Sequence, residues 1–135
     1  MTEKVFIDSG IFIAYLNRRD RWHQQALYLF QEKHVQPYTS ELVISETYSW
    51  FLHQAGEEIA RQFRLLVRAI PKLKILYSSA DAHTATESML DKHRGAKLTY
   101  VDAASLAFLD GQKIPTVWST DYHLSLTGRT IRPVK

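Results

Sequence analysis

Lys4-Val5-Phe6-Ile7-Asp8-Ser9-Gly10 carries an apolar run that ends on an acid and then on a turn signal. Such a run reads as a short buried strand with Asp8 at its carboxyl end. Ile11 to Asn17 then reads as a short helix. Asp20 is placed to cap a second helix, with Trp22, Ala26, Leu27, Leu29 and Phe30 on or near its packed side. Val35 to Tyr38 is a second strand. Thr39 or Ser40 caps a helix to about Gln54, ended by Gly56, and Glu57 to Ile70 is helical again until Pro71 stops it. Leu73 to Tyr77 is a third strand, Asp81 to about His93 a helix closed by Gly95, and Thr99 to Leu109 a helix with Gly111 at its end. Pro115 to Ser119 is a fourth strand, and Thr130 to Val134 a candidate fifth. Strands separated by helices imply an α/β domain with a central parallel sheet of four to five strands and helices on both faces.

The 135 residues suit one domain spanning 1–135, and 45% hydrophobic with 23% charged residues is the balance of a globular protein. The absence of cysteine excludes a disulfide scaffold, a thiolate zinc site and a cysteine nucleophile. The longest apolar run, Ile11 to Leu16, is too short to cross a bilayer, and the start has Glu3 where a signal peptide would be basic. A soluble cytoplasmic protein with no membrane partner is expected. Seventeen Lys and Arg against 14 Asp and Glu give a net charge of +3, which permits an anionic partner without requiring one.

The placement of the acids says more. In an open parallel sheet, ligands collect at the carboxyl ends of the strands. Asp8 ends the first strand and Asp121 lies just past the fourth; either alone also reads as a turn former or helix cap. Glu46 follows Val43 by three and precedes Trp50 by four, on or beside a stripe of Val43, Thr47, Trp50 and Phe51, where an unpaired carboxylate is costly. Pairing with an arginine is the competing account. Asp102 shares a face with Ser105, Leu106 and Leu109, and its spacing from Thr99 also suits a capping box. If the four converge, their repulsion calls for raised pKa values or a divalent cation, and all-oxygen donors favour Mg²⁺ or Mn²⁺. A metal held by acids in a basic protein suits a phosphodiester substrate.

Val5-Phe-Ile-Asp8-Ser-Gly-Ile-Phe-Ile-Ala14 resembles the opening motif of PIN domains, above all those of VapC-type toxins. Asp20 to Ala26, Glu41 to Glu46, Leu98 to Ala107 and Ser119 to His123 resemble the family's later motifs in the same order. The resemblance implies a PIN fold and a metal-dependent endoribonuclease whose acidic site is Asp8, Glu46, Asp102 and Asp121. It implies that Asp8 and Asp102 bind Mg²⁺ or Mn²⁺ most directly and that Asp121 binds directly or through water. Glu46 would then position or deprotonate the attacking water, with Ser9 and Ser119 in support. It further implies 5′-phosphate and 3′-hydroxyl ends, a homodimer, and a cognate antitoxin covering the cleft.

Arg61, Arg64, Arg68 and Lys72 form a basic stripe if their helix is regular, either a solvated face or an RNA-tracking surface. Arg18, Arg19 and Arg21 are further candidates for substrate or partner contact. No His-x-x-x-His spacing occurs, so a histidine-bound metal is not expected; His123, two residues after Asp121, either touches phosphate or is a surface histidine at a helix start, the preferred reading. There is no Gly-x-Gly-x-x-Gly and no P-loop, which argues against nucleotide cofactors and NTPases. A non-cleaving RNA-binding module and an RNA-processing nuclease without an antitoxin are the competing functions.

Overall fold

The computed structural model describes residues 2–133. Among them, the strands are β1 (Glu3–Ile7), β2 (Val35–Ser40), β3 (Lys74–Leu76), β4 (Thr116–Ser119) and β5 (Thr130–Pro133). The helices are α1 (Ser9–Leu16), α2 (His23–Leu29), α3 (Glu41–Ala55), α4 (Glu57–Ala69), α5 (Ala80–Lys92) and α6 (Tyr100–Gln112), with a 3-10 turn at His123–Ser125. The sheet is parallel throughout, in the order β3-β2-β1-β4-β5. The fifth strand expected to reach Val134 is present to Pro133; Val134 lies outside the described residues.

Successive side chains of a strand point to opposite faces, yet Val5, Phe6 and Ile7 are all fully buried, so both faces of β1 are covered. The chain moves one way along the sheet from β1 to β3 and then crosses back to β4. Right-handed crossovers therefore put α1–α4 on one face and α5–α6 on the other. On the first face Phe12 meets Phe63 edge-on with ring centroids 5.3 Å apart, and Phe30 meets Trp118 at 5.7 Å. Burying rings of this size contributes roughly 1.5–3 kcal/mol each. On the second face Lys4 reaches the end of α6, its Nζ donating to the Gln112 carbonyl at 3.0 Å.

Local signals explain the boundaries. Ser40 Oγ accepts from the Val43 N–H at 3.1 Å and starts α3, while Gly56, at φ 97°, ends it in a conformation that side chains resist. Two expectations need correcting. Asp20 does not cap α2: its Oδ1 accepts from the Trp22 N–H at 2.8 Å in an Asx turn, and the helix begins at His23. Gly111 does not end α6, which runs on to Gln112 and stops at Lys113 in the left-handed conformation.

Around the amino ends of β1, β2 and β3 lies an open cavity of about 1230 Å³, walled by Tyr15, Phe30, Leu66, Ile70 and Trp118 and rimmed by Lys4, Lys33, Lys72 and Lys74. Sequence reading gave no hint of it. No helix among the described residues is long and apolar enough to cross a membrane.

Candidate metal-dependent active site

The opposite end of the sheet holds the acids. Asp8 stands between β1 and α1, its N–H bonded to the Trp118 carbonyl at 2.9 Å, which fixes it against the neighbouring β4. Its side chain is nearly enclosed, 7% exposed, and Oδ2 accepts from the Ser119 hydroxyl at 2.9 Å. Burial lifts the carboxyl pKa from 3.8 to about 6. Hydrogen bonds from the Ser9 N–H and the Ser119 hydroxyl act against that rise, while the charges of Asp102 and Glu46 add to it.

Ser119, the last residue of β4, also accepts from the Asp121 N–H at 3.0 Å. One hydroxyl thus ties the first acid to the loop of the fourth. That loop packs closely on α1: a methyl group at Gly10 would collide with Thr120 Oγ1. Any larger residue here would force the Thr120 hydroxyl to turn away, a second reason for the Ser9-Gly10 pair besides the turn.

Asp102 occupies the third position of α6, where the capping box expected of it forms. Its N–H donates to Thr99 Oγ1 at 3.0 Å and its Oδ2 accepts from the Thr99 N–H at 3.3 Å, completing a capping box. The same carboxylate raises the pKa of both Asp8 and Glu46, so it also faces the other acids. Glu46 departs from expectation: the buried stripe of α3 is Val43, Thr47 and Phe51, and Trp50 is 37% exposed. Glu46 accordingly projects from the exposed side of the helix. Partial desolvation raises its pKa first, Asp102 and Asp121 raise it further, and a hydrogen bond with the Ser9 side chain opposes them.

All four acids therefore share one electrostatic neighbourhood. Two carboxylates about 4 Å apart repel by roughly 4 kcal/mol at an effective dielectric of 20, so the cluster is held together by the fold against its own charge. The sequence reading missed one member. His123 opens the 3-10 turn and brings Nδ1 within 3.4 Å of Asp102 Oδ2 and 3.2 Å of Asp121 Oδ1. Donor atoms of Asp102, Asp121 and His123 all lie within 4.8 Å of one another. A search for helical His spacing cannot find this arrangement, because the link is Asp-x-His in a tight turn, with the His123 N–H folded back onto Asp121 Oδ1 at 2.8 Å.

Hard carboxylate oxygens with one imidazole nitrogen, around a buried acid whose ionisation is opposed, form a donor set that fits a divalent cation. The arginines are elsewhere. Arg18 follows the far end of α1, roughly 12 Å from its start at 1.5 Å per residue. Arg61, Arg64 and Arg68 are exposed on α4, whose last turn leads to the amino-end cavity.

A family model for the PIN domain matches residues 5–129. The chain belongs to the PIN domain family. Among solved structures, it is similar to VapC20 of Mycobacterium tuberculosis, described as a sarcin–ricin loop cleaving toxin. The TM-score is 0.84 at 23% identity, over 93% of this chain and 96% of that one. It is also similar to VapBC2 of Rickettsia felis bound to a promoter DNA fragment, with TM-score 0.69 and 11% identity over 96% and 97%. A toxin–antitoxin complex of Klebsiella pneumoniae gives TM-score 0.67 and 15% identity over 94% of each chain. No curated protein matches. At these identities the structural likenesses establish the fold, and this PIN chain's chemistry is argued from its own residues.

Proposed function

We propose that this PIN protein is a divalent-metal-dependent endoribonuclease acting as the toxin of a toxin–antitoxin pair. The observation that carries the reading is the convergence of Asp8, Glu46, Asp102 and Asp121 at the carboxyl end of a PIN sheet, with Asp8 buried and its pKa pushed up to about 6. The similarity to toxins, one of them RNA-cleaving, supports the substrate class.

Asp8, Asp102 and Asp121 would hold Mg²⁺ or Mn²⁺. When bound, the cation lowers the pKa of a coordinated water and neutralises charge on the phosphoryl oxygens. Glu46 is the proton acceptor: it is open to solvent, and its raised pKa brings it toward the range where a base works near neutral pH. Ser9 orients Glu46, and Ser119 fixes Asp8 relative to the Asp121 loop. Exposed Arg18, Arg61, Arg64 and Arg68 are available to track RNA beyond the cleft. An antitoxin inhibits by placing a basic side chain among the acids in competition with the metal, and the toxin works as a homodimer.

The test is cleavage of a pool of single-stranded and structured RNAs, a sarcin–ricin stem-loop among them, with Mg²⁺ or Mn²⁺. Cuts leaving 5′-phosphate ends are expected. EDTA or Asp8→Asn should lower the rate at least about a thousandfold, the several kcal/mol that metal activation supplies. Intact RNA retained by folded, metal-loaded protein would favour the non-cleaving module, and cutting that survives Asp8→Asn would sink the site assignment.

A further inference from the structure

We infer that His123 Nδ1 is a direct ligand of the divalent cation, giving this site a nitrogen donor beside its carboxylates. The inference rests on the metal-dependent reading of the site and extends it. Nδ1 lies 3.2 Å from Asp121 Oδ1 and 3.4 Å from Asp102 Oδ2, shielded from solvent, yet it makes no hydrogen bond. Both oxygens are already engaged by backbone donors, Asp102 Oδ2 by Thr99 N–H and Asp121 Oδ1 by His123 N–H. The ring nitrogen thus sits beside two acceptor oxygens without the alignment of a donor to either. Lone pairs facing one another at this spacing repel unless a cation stands between them.

The separations have the size that a cation would impose. Bonds of about 2.1 Å at right angles put neighbouring donors of an octahedral ion about 3 Å apart. Both His123 contacts are within half an ångström of that edge, before any closure onto the ion. Nδ1 ligation requires the tautomer with the proton on Nε2. A backbone hydrogen bond within the Asp121-x-His123 turn holds the histidine's main chain beside Asp121. An imidazole donor adds more to a transition ion than to Mg²⁺, which prefers oxygen and retains its waters. The site should accordingly prefer Mn²⁺ to Mg²⁺ by more than an all-carboxylate site would.

Electron spin-echo spectroscopy of Mn²⁺ bound to the full chain without RNA reads the ligand directly. A ¹⁴N coupling is expected, converting to ¹⁵N when the protein carries ¹⁵N-histidine; this arm needs no variant. In His123→Ala, checked for folding by circular dichroism, the coupling should vanish. Its Mn²⁺ affinity should fall by about tenfold or more while Mg²⁺ affinity changes by less than about threefold. Bound Mn²⁺ with no nitrogen coupling, or a folded variant with unchanged Mn²⁺ affinity, overturns the inference and leaves the nuclease reading standing. Failure to bind either ion overturns both.

Discussion

The two ends of the sheet are built on opposite principles. At the carboxyl end, like charges are forced together, and Asp8 is buried against the tendency of its own ionisation. At the amino end, Lys4, Lys33, Lys72 and Lys74 are spread around an apolar cavity. Lys4 and Lys74 sit over the Tyr38 ring at 5.9 and 5.7 Å, contacts that stabilise a cation. One end stores electrostatic repulsion and the other relieves it. The net charge of +3 is therefore misleading as an account of the site, because four of the lysines line the amino-end cavity, at the other end of the sheet from the four acids. A polyanion reaching the acids must be drawn by a bound cation and by arginines lying outside the cleft.

This contrast can be broken at either end. The largest stability effect is expected at the amino end. Phe30 lies against Phe12, Tyr15 and Trp118, so Phe30→Ala should cost about 3 kcal/mol in urea unfolding, near the low end for Phe→Ala because the ring is only half-buried. Stabilisation by added Mn²⁺ should be unchanged in that variant if the two ends are independent.

At the carboxyl end, removing a charge should stabilise. Because the folded pKa of Asp8 is about 6 against 3.8 in the ordinary state, folded protein keeps a proton that unfolded chain has released across that interval. Stability is full below pH 4 and declines as pH rises to 6, by at most roughly 3 kcal/mol from this group. Metal-free Asp8→Asn should therefore be about 2 kcal/mol more stable than wild type at pH 8 and match it at pH 4, as measured by denaturant melts at both pH values. Equal stability at pH 8 would mean that the buried charge is already compensated.

Ser119→Ala removes the hydroxyl donor to Asp8, and a loss of about 1 kcal/mol is expected. Carboxyl ¹³C titration should show Asp8 moving further above 6. The smallest effect belongs to Arg64→Ala. RNA affinity should fall by less than about threefold and the salt slope by about 1, with kcat unchanged. A lower kcat would mean that α4 reaches the scissile phosphate after all.

The sequence was most legible where one residue carries a local instruction. Ser40, Gly56 and Thr99 mark helix ends through bonds or torsions of their own, and those ends fall where expected. Asp8, Asp102 and Asp121 stood out because each lies at or just past a strand end or near a helix start, where topology fixes direction, whereas Glu46 lies within α3. Glu46 was singled out for a partly mistaken reason: the packed side of α3 is narrower than its apolar residues suggest, since Trp50 remains exposed. His123 does open a short 3-10 turn with a partly exposed side chain, as expected, but its place beside Asp121 and Asp102 comes from that turn and not from any helical period. The cavity was invisible because its walls come from α1, the end of α2, α4 and β4, and no window of sequence contains them together.

The contact between Gly10 and Thr120 gives the protein a hidden point of failure. The four carboxylates can all remain in the sequence while one added methyl, a single-base change from glycine to alanine, forces the Thr120 hydroxyl on the loop that carries Asp121 to give way. An inventory of acidic residues thus leaves out one contact on which the seating of the Asp121 loop depends, the one at position 10.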